Sequence, residues 1–270
     1  MFRQSGRPML SAFLRRFTTS RPAPRQGMRP DMAPMRPPLA PPLPTEPVCL
    51  VGDLHGCSDL LRRFLALRKV HFPQARIIFL GDMIDRGPDS AEVLRLVQEE
   101  VAQGAVALAG NHEAMFLSYL DQPGQGASWL KYGGFEMITS YGINPAGGDP
   151  QDLRDRLRAA MGAETEAWLR ALPLYWQSGN LVAVHAGMDP ALPPAGQEVT
   201  VLQWGHRDFG RRLRPDGLWV AHGHNVVDQA FAHAGRIALD TGAYATGRLS
   251  FAVIEPALPE VERLTIAVTP

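Results

Sequence analysis

Val48-Cys49-Leu50-Val51-Gly52-Asp53-Leu54-His55-Gly56 is an apolar run that breaks, at a glycine, into a short polar cluster. The same grammar returns twice. Ile77-Ile78-Phe79-Leu80 runs into Gly81-Asp82, with Asp85-Arg86-Gly87 close behind, and residues 105–109 run into Gly110-Asn111-His112-Glu113. Apolar runs of this length bounded by glycine read as buried strands. Between them, residues 60–67 have helical spacing. Residues 90–101 read as a helix capped by Ser90, with Val93, Leu94 and Val97 on one face. Strand–helix–strand order predicts parallel strands with helices on the faces of the sheet.

Working outward, residues 114–176 read as mostly helical, most clearly at 152–160 and 164–172. Strands return at 181–184 and 218–221. The last third alternates short strands with turns, at 236–239, 249–254 and 261–268, which is hairpin grammar. The expected fold is mixed α/β, with the later strands forming a second sheet.

The chain has 270 residues, enough to bury a core without disulfides or a structural metal. Its two cysteines cannot form a disulfide scaffold: Cys49 reads as a buried strand residue and Cys57 as a small packing residue beyond the turn. A reducing compartment is the simpler expectation. No apolar stretch is long enough to span a membrane. The net charge of zero hides an asymmetry: residues 1–47 carry +6 and the remainder −6. An acidic body argues against nucleic acid as a partner.

Residues 1–47 also hold ten prolines between Pro22 and Pro47, so they are expected to be a disordered Arg/Pro-rich tail, with the folded domain at 48–270. Within the tail, residues 9–17 could form a short basic amphipathic helix. That leaves three expectations open: an untargeted tail, an organellar targeting segment, or weak contact with an anionic membrane surface. A cytoplasmic location is the reading taken.

Five strand ends carry polar residues beside glycine: the three above, then His185-Ala186-Gly187 and His222-Gly223-His224. In open α/β sheets, ligands bind outside the carboxyl ends of strands. Carboxylate, imidazole and amide oxygen together suit borderline divalent metals such as Mn, Fe or Zn. Asp53 and His55 lie two apart on one turn. Asp82 follows Asp53 by 29 residues and Asn111 follows Asp82 by another 29, one strand–helix unit each time. A carboxylate can bridge two ions about 3.5–4 Å apart.

The three blocks, in this order and at this spacing, resemble the phosphoprotein phosphatase branch of the metallophosphoesterases, the branch of calcineurin and the lambda phage phosphatase. Asp240-Thr241-Gly242, residues 247–251 and the run from Trp129 through Gly133-Gly134 to Tyr141-Gly142 are similar to its small bacterial and phage members. The resemblance covers roughly residues 48–255. It implies a calcineurin-like β-sandwich of two sheets flanked by helices, and two divalent metal ions, Mn first with Fe or Zn as alternatives. By the same resemblance, Asp53 and His55 bind the first ion, Asp82 bridges, and Asn111, His185 and His224 complete the second. His112 is the general acid and Asp85 orients it. Arg86 and Asn111 bind the phosphoryl group, which a metal-bridging hydroxide attacks in line.

One element departs from the pattern. Small bacterial members often carry a second phosphate-binding Arg two residues after a Trp. Here that position is His206, with Arg207 one later in Trp204-Gly205-His206-Arg207. Either the loop shifts and Arg207 serves, or the contact is lost; Arg207 is the assignment taken. Of the two late histidines, His224 fits the ligand position and His222 becomes its neighbour.

The resemblance implies a serine/threonine protein phosphatase acting on a phosphoprotein or phosphopeptide. The alternative is a symmetrical diadenosine tetraphosphate hydrolase. That relative typically has Ala where Asp85 stands and Asp where Glu113 stands, so these two residues favour the phosphatase. A non-catalytic scaffold of the same fold is the third reading. Retention of every ligand position and of His112 speaks against it.

Overall fold

The computed structural model describes residues 39–146 and 149–269. Most of the expected tail, residues 1–38 with the basic segment at 9–17, lies outside the described residues.

The first sheet is built on β1 (Val48–Val51), β2 (Arg76–Phe79) and β3 (Val106–Ala107), which run parallel. Helix α1 (Ser58–His71) joins β1 to β2, and α2 (Ser90–Ala102) joins β2 to β3. After β3 come α3 (Asn111–Asp121), α4 (Ala127–Trp129), α5 (Phe135–Ser140), α6 (Pro150–Met161) and α7 (Ala163–Arg170). The chain then enters a second sheet through β4 (Tyr175–Ser178) and β5 (Leu181–Val184). Helix α8 (Val199–Trp204) precedes β6 (Trp219–His222), β7 (Phe231–His233) and β8 (Arg236–Ala238). Last come α9 (Ala243–Thr246), β9 (Ser250–Ile254), α10 (Glu260–Arg263) and β10 (Leu264–Val268).

Strand order is β10-β9-β1-β2-β3 in one sheet and β4-β5-β6-β8-β7 in the other. The fold is therefore α/β, a sandwich of two mixed five-stranded sheets flanked by helices. Alternation along β1 shows how it holds together. Val48 and Leu50 join Ile78, Ala183, Ala221, Ile237 and Ile254 in the core between the sheets. Cys49 and Val51 point the other way, into a core shared with Leu61, Phe64, Val93, Val97 and Phe116 of the helices. Strand β1 is buried on both faces, which is why its sequence is a continuous apolar run. Burying one such Leu or Ile side chain contributes about 1.5–3 kcal/mol. Both cysteines are free.

The structure corrects several expectations. Not all the later strands form the second sheet: β9 and β10 return to the first, where β9 pairs antiparallel with β1 from Val48↔Ile254 to Val51↔Phe251. The two-sided burial of β1 requires a neighbour on its open edge, and β9 supplies it. Strands β4 and β7 were not expected; Tyr175–Ser178 is only partly buried and lacks an apolar run. The segment at 261–268 begins as a helical turn before β10. Ser90 does not cap α2. Asp89 holds the cap position, and Ser90 Oγ instead accepts the backbone N–H of Asp85 at 3.0 Å.

Residues 39–47, assigned to the tail by their prolines, lie along the second sheet. Trp219 Nε1 donates to Ala40 O at 2.7 Å. Asn180 donates to Pro41 O at 2.9 Å and accepts from Leu43 N at 2.6 Å, while Thr45 N donates to Ser178 Oγ at 2.9 Å. Extended proline-rich backbone leaves its carbonyls free to accept, and these side chains take them. Asn180→Ala is expected to lower stability by about 1 kcal/mol and to speed proteolytic cleavage within residues 39–45, as read by a urea midpoint and limited digestion.

Candidate active site and metal centre

The carboxyl ends of β1, β2, β3, β5 and β6 converge. Asp53, His55, Asp82, Asp85, Asn111, His112 and His185 are all buried there. Asp82 is the centre. Its Oδ1 accepts the His112 N–H at 3.0 Å and lies 3.3 Å from His185 Nε2. Its Oδ2 lies 3.6 Å from His55 Nε2 and 3.9 Å from His112 Nε2. Two sets of donors share it: His55, Asp82 and His112 in one, Asp82, His185 and His224 in the other, with the ligand atoms of each set within 4.8 Å of one another.

The backbone sets which ring atoms face inward. His55 Nδ1 donates to Ile84 O and His185 Nδ1 to Leu80 O, each at 2.9 Å. A carbonyl can only accept, so each ring holds its proton there and turns Nε2 toward Asp82. Asn111 Oδ1 lies 2.9 Å from both His185 Nε2 and His224 Nδ1. Acceptor atoms thus crowd around one point, and a positive charge has to sit among them. A proton on His185 is one candidate: burial works to lower its affinity, but Asp82 outweighs that and raises it to about 10. A divalent ion is the other. Asp53 supports the ion, since burial, then the charges of Asp240 and Asp82, hold its carboxyl well above the usual range. A dication relieves the repulsion of all three carboxylates at once, so the donors present fit the two-metal expectation.

Asp53 is at the cluster but in neither set; its carboxylate accepts the His224 N–H, with the shorter distance 3.0 Å. His112 Nδ1 lies 2.6 Å from Asp85 Oδ2. Burial works to lower His112, and the Asp85 hydrogen bond overrides it to raise the ring. Arg86 borders the cluster, its guanidinium carbon 4.9 Å above the Tyr244 ring. Arg207 is exposed and makes no hydrogen bond or ion pair among the described residues. His206 is near Asp189 instead, at 3.8 Å. His222 Nδ1 donates to Gly223 O, its Nε2 is buried without a hydrogen-bond partner, and it belongs to neither donor set.

Four participants carry no separate assignment from sequence. Trp129 Nε1 donates to Asp85 Oδ2 at 3.0 Å, which holds the partner of His112 from behind. Glu113 accepts three backbone N–H groups, from Gly110, Asp82 and Met83, at 2.8, 3.0 and 2.8 Å. Asp240 is a further buried carboxylate, and Tyr244 stands edge-on to His55 with centroids 5.3 Å apart. Asp240 follows β8 in Asp240-Thr241-Gly242, and it, Trp129 and Glu113 all stand in motifs already marked. Tyr244 carries no such signal.

Backbone strain marks the same place. Among the described residues six non-glycines have positive φ, and five of them are His55, Asp82, Asp85, Arg86 and His224. Such conformations cost about 1–3 kcal/mol each and persist where the surroundings over-determine them.

A sequence model of the calcineurin-like phosphoesterase family matches residues 46–244. The chain belongs to this family, and its buried His and Asp groups could hold metal ions. It is 33% identical over 179 residues to a symmetrical bis(5'-nucleosyl)-tetraphosphatase of Methylococcus capsulatus, covering 63% of this chain and 56% of the relative. The chain spans about half the length of the curated relatives it matches. Among solved structures, a protein proposed to be a diadenosine tetraphosphatase aligns with a TM-score of 0.59 and 21% identity, over 84% of this chain and 96% of that one. A serine/threonine phosphatase from Saccharomyces cerevisiae, similar to human phosphatase PP5, aligns at 0.55 and 19%, over 84% and 80%. At these identities the structures share the fold. Among the described residues, no helix is long and apolar enough to cross a membrane.

Two outcomes test the site. Added Mn, Fe or Zn is expected to raise the thermal midpoint by a few degrees, because a ligand that binds only the folded state stabilises it, and Asp82→Asn is expected to abolish the rise. Gly133 has φ +117° and its absent Cβ would run into the backbone N of Arg86. Gly133→Ala is therefore expected to cost about 1–3 kcal/mol in a urea titration and to lower kcat/KM for p-nitrophenyl phosphate by displacing Arg86.

Proposed function

We propose that this chain hydrolyses dinucleoside tetraphosphates of the diadenosine type symmetrically, at the central P–O–P linkage, to give two nucleoside diphosphates. The observation that carries the reading is the 33% identity over 179 residues to a symmetrical bis(5'-nucleosyl)-tetraphosphatase. The protein phosphatase reading, drawn from Asp85 and Glu113, has less support. Those two residues have structural work of their own: Asp85 holds His112, and Glu113 ties three backbone N–H groups. Neither role specifies a protein substrate.

Roles follow from position. Asp53, His55, Asp82, Asn111, His185 and His224 would hold two divalent ions, which supply an activated water and neutralise phosphate charge. Arg86 and Asn111 would bind the oxygens of the attacked phosphoryl group, for which a guanidinium fork is suited. His112 has Nδ1 engaged by Asp85 and Nε2 turned toward the cluster. A proton held at Nε2 would pass to the leaving phosphate oxygen as the bond breaks. Asp85, fixed by Trp129, keeps the ring in that orientation. Arg207, exposed and unpaired among the described residues, would supply the second guanidinium contact to phosphate.

A second reading rests on one observation. The Asp85–His112 pair, 2.6 Å apart and buried, raises the ring's hold on its proton and would keep His112 charged and ready to protonate a serine or threonine alkoxide, a poorer leaving group than a phosphate. The deciding experiment supplies Mn and compares diadenosine tetraphosphate with a panel of phosphoserine and phosphothreonine peptides, with Asp82→Asn as the control. Preferential release of two diphosphates, lost in the control, is expected. Preference for the peptides would replace the first reading with the second.

A further inference from the structure

Four aromatic side chains stand exposed around the cluster, and the chemistry above uses none of them. Tyr132 (53% exposed), Phe135 (45%) and Tyr244 (42%) line a cleft of about 530 Å³, together with Arg86, Lys131 and Glu136. Tyr244 joins this cleft to the His55 donor set, through its edge-on contact with His55 and the Arg86 guanidinium above its ring. Trp204 (49% exposed) stands at the other donor set, its ring edge-on to His224 at 6.2 Å. The two sets meet at Asp82. Exposed aromatics therefore flank the shared carboxylate from both donor sets.

A single exposed aromatic residue needs no explanation. These have a backbone device behind them. Trp129 and Tyr132 are three residues apart, a spacing that puts side chains on one face of a regular α-helix. Here Trp129 is fully buried and Tyr132 is exposed. Directly after Tyr132 the helical path kinks at Gly133, which has a left-handed conformation. The same kinked segment carries Lys131 and leads directly into Phe135, so it presents two aromatic faces and a cation together.

We propose that these aromatic side chains are two nucleobase platforms: the Tyr132–Phe135 cleft receives one base of a dinucleoside polyphosphate, and Trp204 stacks on the other. This deepens the reading above and rests on it. A substrate cut at its centre has two equal halves, so a site that positions the middle phosphates over Asp82 has to hold a base on each side. Aromatic faces stack on any base without reading its edges. Arg86 and Lys131 supply positive charge to the phosphates on the cleft side, while Glu136 at the rim disfavours phosphate beyond it. The stacking platforms thus set which phosphate chains enter, by the bases at their ends, and leave the phosphorus chemistry to the buried cluster.

The experiment uses the full chain with Mn in excess. It measures KM for diadenosine tetraphosphate and the inhibition constant of inorganic tetraphosphate, which has the phosphates and no bases. Trp204→Ala, Phe135→Ala and Tyr132→Ala are each expected to raise KM about tenfold, in line with the loss of one stacked base, with little change in the inhibition constant. Trp204→Phe should restore most of the affinity. KM that stays put in all three, or KM and inhibition constant rising together, overturns the platforms while leaving the dinucleotide activity standing. A wild-type protein that hydrolyses phosphopeptides and leaves the dinucleotide intact overturns the proposed function, and the platforms with it.

Discussion

Asp82 carries a carboxylate into a region almost sealed from solvent, and the surrounding chain is arranged to hold it. Its backbone carbonyl accepts the N–H groups of Leu54 and His55, at 3.1 and 2.8 Å. Its own N–H goes to Glu113 and its Oδ1 takes the N–H of His112. One residue after β2 thereby ties the turn after β1 to the start of α3. Removing any of these partners leaves a buried polar group unpaired, which costs about 1–3 kcal/mol and more for a charged group. The histidines are arranged around that fixed charge, and Gly110 is bare because a Cβ there would strike the Asp82 carboxylate.

The parts of the site that could be read from sequence are those that follow directly from this convergence. Each parallel strand of the first sheet is a short apolar run that breaks at a glycine, and each return to the same end of that sheet takes one strand–helix unit. The equal spacing of Asp53, Asp82 and Asn111 is that unit measured in residues. His185 and His224 were legible for the same reason, since β5 and β6 are parallel neighbours in the second sheet. The two-sheet α/β sandwich followed from the same runs and from family resemblance.

What was not legible depends on partners distant in sequence. The return of β9 to β1 is set by pairing between residues some two hundred positions apart, and hairpin grammar carries no information about which sheet a hairpin joins. The proline-rich stretch at 39–47 reads locally as unstructured, and only the side chains of Asn180, Ser178 and Trp219 give it a path. Ser90 has the right identity for a cap, yet its hydroxyl is taken by the backbone of Asp85, so a local propensity yields to a contact needed at the site. The substrate assignment drawn from Asp85 and Glu113 had a related weakness. Both are buried groups that organise neighbours, and a residue doing structural work is poor evidence for what lies outside the site.

The two sheets contribute unequal halves to one centre, and this makes closure of the sandwich part of the chemistry. Asp53, His55, Asp82 and Asn111 follow strands of the first sheet, while His185 and His224 follow strands of the second. Their separation is set by the core between the sheets, where Leu50, Ile78 and Leu80 pack against Ala183, Ala221 and Ile237. Small side chains on β5 and β6 let the second sheet approach closely. Direct ties reinforce the packing: His185 Nδ1 reaches Leu80 O in the first sheet, and the His224 N–H reaches Asp53. The donor set of Asp82, His185 and His224 spans both sheets and so depends on the packing between them. Shape complementarity between two faces of aliphatic residues, distant from any phosphate, fixes the distance between the two halves of the site.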